Sequence, residues 1–439
     1  MYSIDRLKNN LFAWYLAWFF VFGVVFYDYI QSHTGFSFTD EIAMLVLFCF
    51  ALFPRKERIN KRDTFNLFLV LGIFVFWFIY SMKIGSNNRN AILTDFLIQI
   101  KPFLAFYCTI LIAPNLTGQK KWLGAIVLCF VPLLFLDRLV SGLMGETSYF
   151  FGHVSRYATT AIIISYVYLY ASPKSKPVPI RRFVLLLSLG LLSWRSKMYA
   201  FWVISVLVLC LFRRYRFQWN FKTGLILSIG LCTILVLSYG KLNFYFIEGT
   251  SDPDNMFARP ALYEGAKVIL GKYKYFPLGS GYASYATHAS AQFYSKLYYE
   301  LDLAKIHGLT PDKPSFMSDT FFPSLAQFGI AGILLFSYFW FSILRKANFY
   351  RSHIRRGVVL EYTFVFLIFI FFMIESTADS TFTQNRGIFM MTLLALCMTD
   401  LRRQYENPME ANDRRMKKKK NRHNIFVHPG YPKHSHLDG

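Results

Sequence analysis

What most limits this chain is the recurrence, between residues 11 and 400, of apolar blocks of about 15 to 25 residues divided by short charged connectors. A helix rising ~1.5 Å per residue needs roughly 20 such residues to cross ~30 Å of hydrocarbon, and it satisfies its own backbone hydrogen bonds there. The blocks read as spans at 11–30, 38–53, 64–82, 95–113, 122–142, 156–171, 183–194, 198–212, 223–241, 321–344, 359–375 and 386–400. The expected fold is an all-α polytopic membrane protein with about twelve transmembrane helices. Residues 1–241 hold spans one to nine, 242–320 a large extracytoplasmic loop, 321–400 spans ten to twelve, and 401–439 a basic cytoplasmic tail. The first block follows Arg6 and Lys8 as a signal peptide would, but it is long, aromatic and without a small-residue cleavage site, so it reads as a span.

Composition agrees with lipid as the solvent. With 54% apolar, 19% aromatic and 17% charged residues, the chain has too little polar surface to cover a water-soluble globule of its length. A net charge of +23 raises the question of nucleic acid, but the positions of the charges answer it. Of the 48 Lys and Arg residues, 32 fall in alternate connectors that share a side with the N-terminus and the tail. Eight of the other sixteen lie between Lys241 and Thr320, and large translocated segments obey the positive-inside rule only weakly. Both termini are therefore expected in the cytoplasm, with no nucleic-acid partner. The run Lys417 to Lys420 would favour anionic headgroups by ~1 kcal/mol per charge, or serve only as a topology anchor.

The six cysteines all fall inside the spans, so no disulfide framework is implied. The sequence contains no metal-ligand spacing, P-loop or dinucleotide fingerprint, and neither a metal nor a cofactor is expected.

Four places put polar residues against apolar sequence on the external side, where an ionised group near the bilayer centre costs at least ~2.5 kcal/mol without a cavity or a partner. The first is Leu192-Ser193-Trp194-Arg195-Ser196-Lys197-Met198, a tight turn between two spans barely long enough to cross. Arg195 and Lys197 there are either a recessed site or an interfacial snorkelling pair. The second opens the long loop. Pro260 suits a first helical position, which sets Arg259 at a helix start with Leu262, Ala266 and Ile269 on one face, and a guanidinium at a helix N-terminus suits a phosphate group. The third is the Pro277-Leu278-Gly279-Ser280-Gly281 turn, able to bring backbone close to a ligand, or simply a turn. The fourth is Ser318-Asp319, which either caps the tenth span for local reasons or offers Asp319 as a carboxylate facing the arginines. Imidazole is the side chain suited to proton exchange near neutral pH, which singles out His288 and His307 in the loop, or they are plain surface residues; the loop aromatics Tyr282, Tyr285, Phe293, Tyr294, Tyr298 and Tyr299 suit a sugar-stacking surface or an interfacial belt.

Between about residues 183 and 332 this pattern resembles the O-antigen polymerase and O-antigen ligase superfamily of bacterial envelope glycosyltransferases. Ser193, Arg195 and Ser196 match a span ending in Ser or Thr beside Arg; Arg259 to Gly271 match the Arg-bearing helix of a long periplasmic loop; Pro277, Gly279 and Gly281 match its Pro-x-Gly-x-Gly turn; and Gly329-Ile330-Ala331-Gly332 match a closing Gly-Ile-x-Gly element. Where ligases and many polymerases carry a His-Asn or similar polar pair this chain has Ser318-Asp319, and the missing ligase histidine leans the resemblance toward a repeat-unit polymerase.

The resemblance implies an inverting, metal-independent glycosyl transfer in the inner membrane, on its extracytoplasmic face. A polyprenyl-pyrophosphate-linked oligosaccharide would be the donor and the end of another the acceptor, building O-antigen of lipopolysaccharide, capsule or exopolysaccharide. It makes Arg195, Arg259 and Asp319 candidate catalytic residues, and Lys197, Gly279, Gly281, Ser318, His288 and His307 candidate substrate-binding ones. Membrane lipid, a chain-length regulator and a flippase are the implied partners. Two alternatives stay open: a ligase that moves the polymer to an acceptor, and a transporter or flippase of lipid-linked oligosaccharide. A carrier should show two related halves, and the Ser193 to Lys197 pattern is not repeated.

Overall fold

The computed structural model describes residues 2–52, 61–145, 147–172, 180–212, 257–353 and 359–406, with scattered positions between 221 and 243. Most of the ninth predicted span, the long loop before residue 257 and the basic tail beyond Glu406 lie outside the described residues. Helices run α1 Tyr2–Trp18, α2 Tyr27–Thr34, α3 Thr39–Leu52, α4 Lys61–Ile84, α5 Arg89–Ile112, α6 Lys120–Cys129, α7 Val131–Met144, α8 Val154–Ala171, α9 Ile180–Ser188, α10 Ser196–Phe212, α11 Ala258–Gly271, α12 Gly329–His353, α13 Val359–Glu375 and α14 Asn385–Glu406. Among the described residues there is no strand beyond one isolated bridge between Thr310 and Lys313.

Four helical stretches, Lys61–Ile84, Arg89–Ile112, Lys120–Met144 and Phe321–His353, are long and apolar enough to cross a membrane. A fifth is available if the first helix and α2, bent by 62° after the π-helical turn Phe19–Val25, form one span. The architecture is that of an all-α membrane protein. Its outward surface suits lipid: on α4 the side chains of Phe65 and Phe68 are 63% and 65% exposed.

Two helices form the centre. From Ser155 to Ala171, α8 is buried almost throughout, and α14 is buried from Asn385 to Leu401, as expected of helices apolar on every side. The charges at the two ends of α14 are paired: Arg386 with Asp28, and Asp400 with both Lys120 and Arg403. Around this axis, aromatic rings from neighbouring helices meet edge to face, as Phe103, Phe339 and Phe382 do.

The loop from residue 257 onward folds as a compact unit with its own core. Leu262, Ala266 and Ile269 form the buried face of α11 as the spacing predicts, though α11 begins at Ala258 and Pro260 is its third residue. Tyr282, Tyr285 and Tyr298 are fully buried, and Tyr285 stacks on Tyr298. These rings are packing elements rather than a sugar platform or an interfacial belt; of the tyrosines in that group only Tyr299 is exposed.

The α4–α5 hairpin holds this unit largely through main-chain atoms. Trp77 Nε1 donates to the Leu278 carbonyl (2.9 Å), the Tyr80 hydroxyl to that of Gly279 (2.9 Å) and Ser86 Oγ to that of Tyr282 (2.7 Å). In the other direction, the Tyr282 and Ala283 amides donate to Ser81 Oγ (2.8 Å) and Asp95 (2.7 Å).

Candidate functional site

The turn between α9 and α10 is built by a change of helix type. Beyond Ser188 the chain tightens into a 3-10 turn, Leu189–Ser193, and Trp194 reverses it with φ +53° in the left-handed region. Arg195 and Lys197 follow at the start of α10, both half-buried. Their environments differ. Lys197 Nζ donates to Glu375 Oε2 at 2.8 Å and lies 3.8 Å from an Asp379 oxygen. Arg195 has no ion pair among the described residues, although its charge reaches Glu375, Asp379 and His153.

Arg259 arrives from α11. Its guanidinium donates to Asp319 Oδ2 at 3.2 Å, with side chains 26% and 33% exposed. Asp319 therefore does not cap the next helix; the cap position is Thr320, which makes no side-chain capping bond. On the same side, the Tyr263 hydroxyl donates to the Thr377 carbonyl (2.8 Å) and the Phe322 amide to that of Ser376 (3.1 Å). The loop thus closes onto the segment between α13 and α14.

That segment, Glu375 to Gln384, supplies the acids. Asp379 accepts from Ser155 Oγ at 2.6 Å and from Thr381 Oγ1 at 3.0 Å. Burial alone would push its carboxyl up, but Lys197, these hydroxyl donors and Arg195 hold it below the ordinary aspartate range. Burial raises Asp319, and neighbouring Asp379 adds to the rise against the pull of Arg259. His153 caps α8: its Nδ1 accepts the Ser155 amide (3.2 Å), so the neutral ring carries its proton on Nε2. Burial, then Arg195, lowers its pKa, while Asp379 and Asp319 oppose the shift.

A further pair of cations backs the cluster. Asp28 bridges Arg156 and Arg386, each at 2.6 Å, and Arg386 also donates to Thr160 Oγ1 (3.1 Å). The buried hydroxyls of Ser193, Thr320 and Ser376, next in sequence to the turn and the two acids, make no hydrogen bond. Four segments far apart in sequence therefore converge on one cluster of charges: the α9–α10 turn, the start of α8, the loop from α11 to Asp319, and the α13–α14 connector.

Of the residues singled out from sequence, Arg195, Lys197, Arg259 and Asp319 meet in this cluster, with Ser318 beside them in the chain. The other four lie elsewhere. Gly279 and Gly281 have φ near +85° and belong to the loop anchor: a β-carbon on Gly279 would sit 2.2 Å from the Gly329 nitrogen, and one on Gly281 2.8 Å from Ser86 Cβ. His288 is exposed at the start of a short helix, and His307 is exposed 6.3 Å from the Phe316 ring. Sequence reading missed Glu375, Asp379, Arg386, Asp28, Arg156 and His153. The signal available for Glu375 and Arg386 was an ionisable residue at the very edge of an apolar block. Comparison with family models, with curated proteins and with solved structures finds no match to this chain.

Proposed function

We propose that the protein is a glycosyltransferase of the bacterial inner membrane that polymerises polyprenyl-pyrophosphate-linked oligosaccharide repeats on the extracytoplasmic face. The observation that carries this reading is the convergence of Arg195, unpaired among the described residues, with Arg259 and Asp319 in one half-buried cluster of charges around His153. Loss of a pyrophosphate develops charge as the glycosidic bond breaks, and fixed cations in a partly dry site stabilise that charge more than the ground state. Arg195 is the group available to it. Arg259, held by Asp319, sits at a helix start where backbone N–H groups add to the attraction.

Asp319, with its raised pKa, takes the proton of the acceptor hydroxyl as the new bond forms opposite the leaving group. His153, neutral and protonated on Nε2, donates a hydrogen bond to a phosphate or sugar oxygen. The unpaired hydroxyls of Ser193, Thr320 and Ser376 suit sugar hydroxyls. In this reading the chain crosses the membrane about twelve times with both termini inside. In support, contacts group alternate connectors at opposite ends. Residues near 28, 87, 155, 196, 260–320 and 380 meet at one end, and Asp63, Lys120, Asp400 and Arg402 at the other.

The test is elongation of lipid-linked repeats by purified protein. Arg195→Ala and Arg259→Ala variants that remain folded should each lose at least about a hundredfold in rate, the scale seen on removing one donor to a developing charge. Normal elongation by either variant rules the proposal out. Deletion in the host that leaves long chains on the carrier lipid indicates the ligase, and repeats trapped on the cytoplasmic side a transporter.

A further inference from the structure

A laterally open groove of about 770 Å3 runs along α4, with α5 at its floor and α12 as its other wall. Its sides are apolar and largely aromatic, among them Phe74, Phe103, Leu335 and Phe339. Its two ends differ. One reaches the underside of the loop at Trp77 and Tyr282, and the other is ringed by Arg62, Arg345, Lys346 and Arg402, with Asp63 as the only acid in the lining. Asp63 is already bonded to Arg402, whereas Arg345 and Lys346 form no ion pair among the described residues.

We propose that this groove holds one phospholipid with an anionic headgroup, its phosphate at Arg345 and Lys346 and an acyl chain along α4 toward the loop. Length supports one leaflet's lipid as the occupant. Arg62 and Trp77 both line the groove, and the fifteen helical steps between them span ~22 Å. Half of a bilayer ~40–45 Å thick, headgroups included, is the same distance. Charge supports an anion, because a cationic rim beside an apolar trough matches a phosphate above a hydrocarbon chain. A second protein chain would leave the two cations facing its own apolar surface at a desolvation cost. The site is separate from the Arg195 cluster and does not depend on the proposed glycosyl transfer.

The experiment is native mass spectrometry of the full-length protein against phosphatidylglycerol and phosphatidylcholine of equal chain length. Each cation near an anionic group is worth a factor of about five, so phosphatidylglycerol should be retained about thirtyfold better. Arg345→Gln/Lys346→Gln should bring the ratio near one, and Leu335→Trp, which fills the groove, should lose both lipids. Should the double variant fail to fold, the wild-type ratio must itself shrink as salt is raised. Equal retention of the two lipids by the wild type, an unchanged ratio in the folded double variant, or a lipid-free dimer that Leu335→Trp dissociates would each overturn the proposal.

Discussion

Replacing Lys197 by Met separates a structural ion pair from a substrate contact. Its ammonium lies 2.8 Å from Glu375 and 3.8 Å from Asp379, with side chains 16%, 6% and 17% exposed. At an effective dielectric of about 20 those separations correspond to roughly 6 and 4 kcal/mol of attraction before desolvation is set against them. Lys197→Met leaves both acids buried without their nearest cation, and such losses cost about 3–5 kcal/mol. Lys197→Met/Glu375→Gln removes the uncompensated charge and should regain most of that loss, because Asp379 keeps its bonds from Ser155 and Thr381. Detergent-solubilised protein, scored by the fraction left monodisperse after heating, should rank wild type first, the double variant close behind and Lys197→Met well below. If Lys197→Met is as heat-resistant as the wild type yet inactive, the lysine belongs to the substrate and this account of it is wrong.

Two more predictions follow from the same geometry. Asp319 must be ionised to accept a proton and its pKa is raised, so polymerising activity should fall on acidification at a higher pH than the ~3.9 of a free aspartate. Asp319→Asn should abolish that limb of the pH profile together with most of the rate, and an unchanged profile would remove Asp319 from the chemistry. Gly279→Ala should destabilise the loop by at least ~1–2 kcal/mol, since φ +84° is strained for alanine and its β-carbon meets backbone of Gln327 and Gly329. Faster proteolysis within residues 272–320 reports it, and wild-type resistance would show that the anchor does not depend on this turn.

The helical character of the apolar blocks was legible from their composition and length: each fully described block is mainly helical, and four or five of the helical stretches are long and apolar enough to cross a membrane. Arg195, Arg259 and Asp319 were legible because each breaks apolar or helical sequence abruptly. The rest of the cluster was hidden for a physical reason: Asp28, His153, Arg156, Glu375, Asp379 and Arg386 lie at or beside helix ends in three stretches far apart in sequence, and only helix packing brings them together. The loop glycines show the opposite case. The turn was foreseen, either as a plain turn or as backbone close to a ligand, and the close approach that the structure shows is to the chain itself, at Gln327 and Gly329 for Gly279 and at Ser81 and Ser86 for Gly281. Lys101, read as part of a span, is tied to Asp40 and Glu41, and its partner was not predictable across 60 residues.

The way the α4–α5 hairpin grips the loop bears on how much of the loop can change. Trp77, Tyr80, Ser81, Ser86, Asn87 and Asp95 bond to carbonyls and amides of the segment 278–293, so they register the path of its main chain and not its side chains. Substitutions on the outer surface of the loop are free to accumulate without loosening this grip, provided the two glycines keep the path. Segments of different surface chemistry but the same backbone trace should therefore be interchangeable over residues 278–293 on this scaffold.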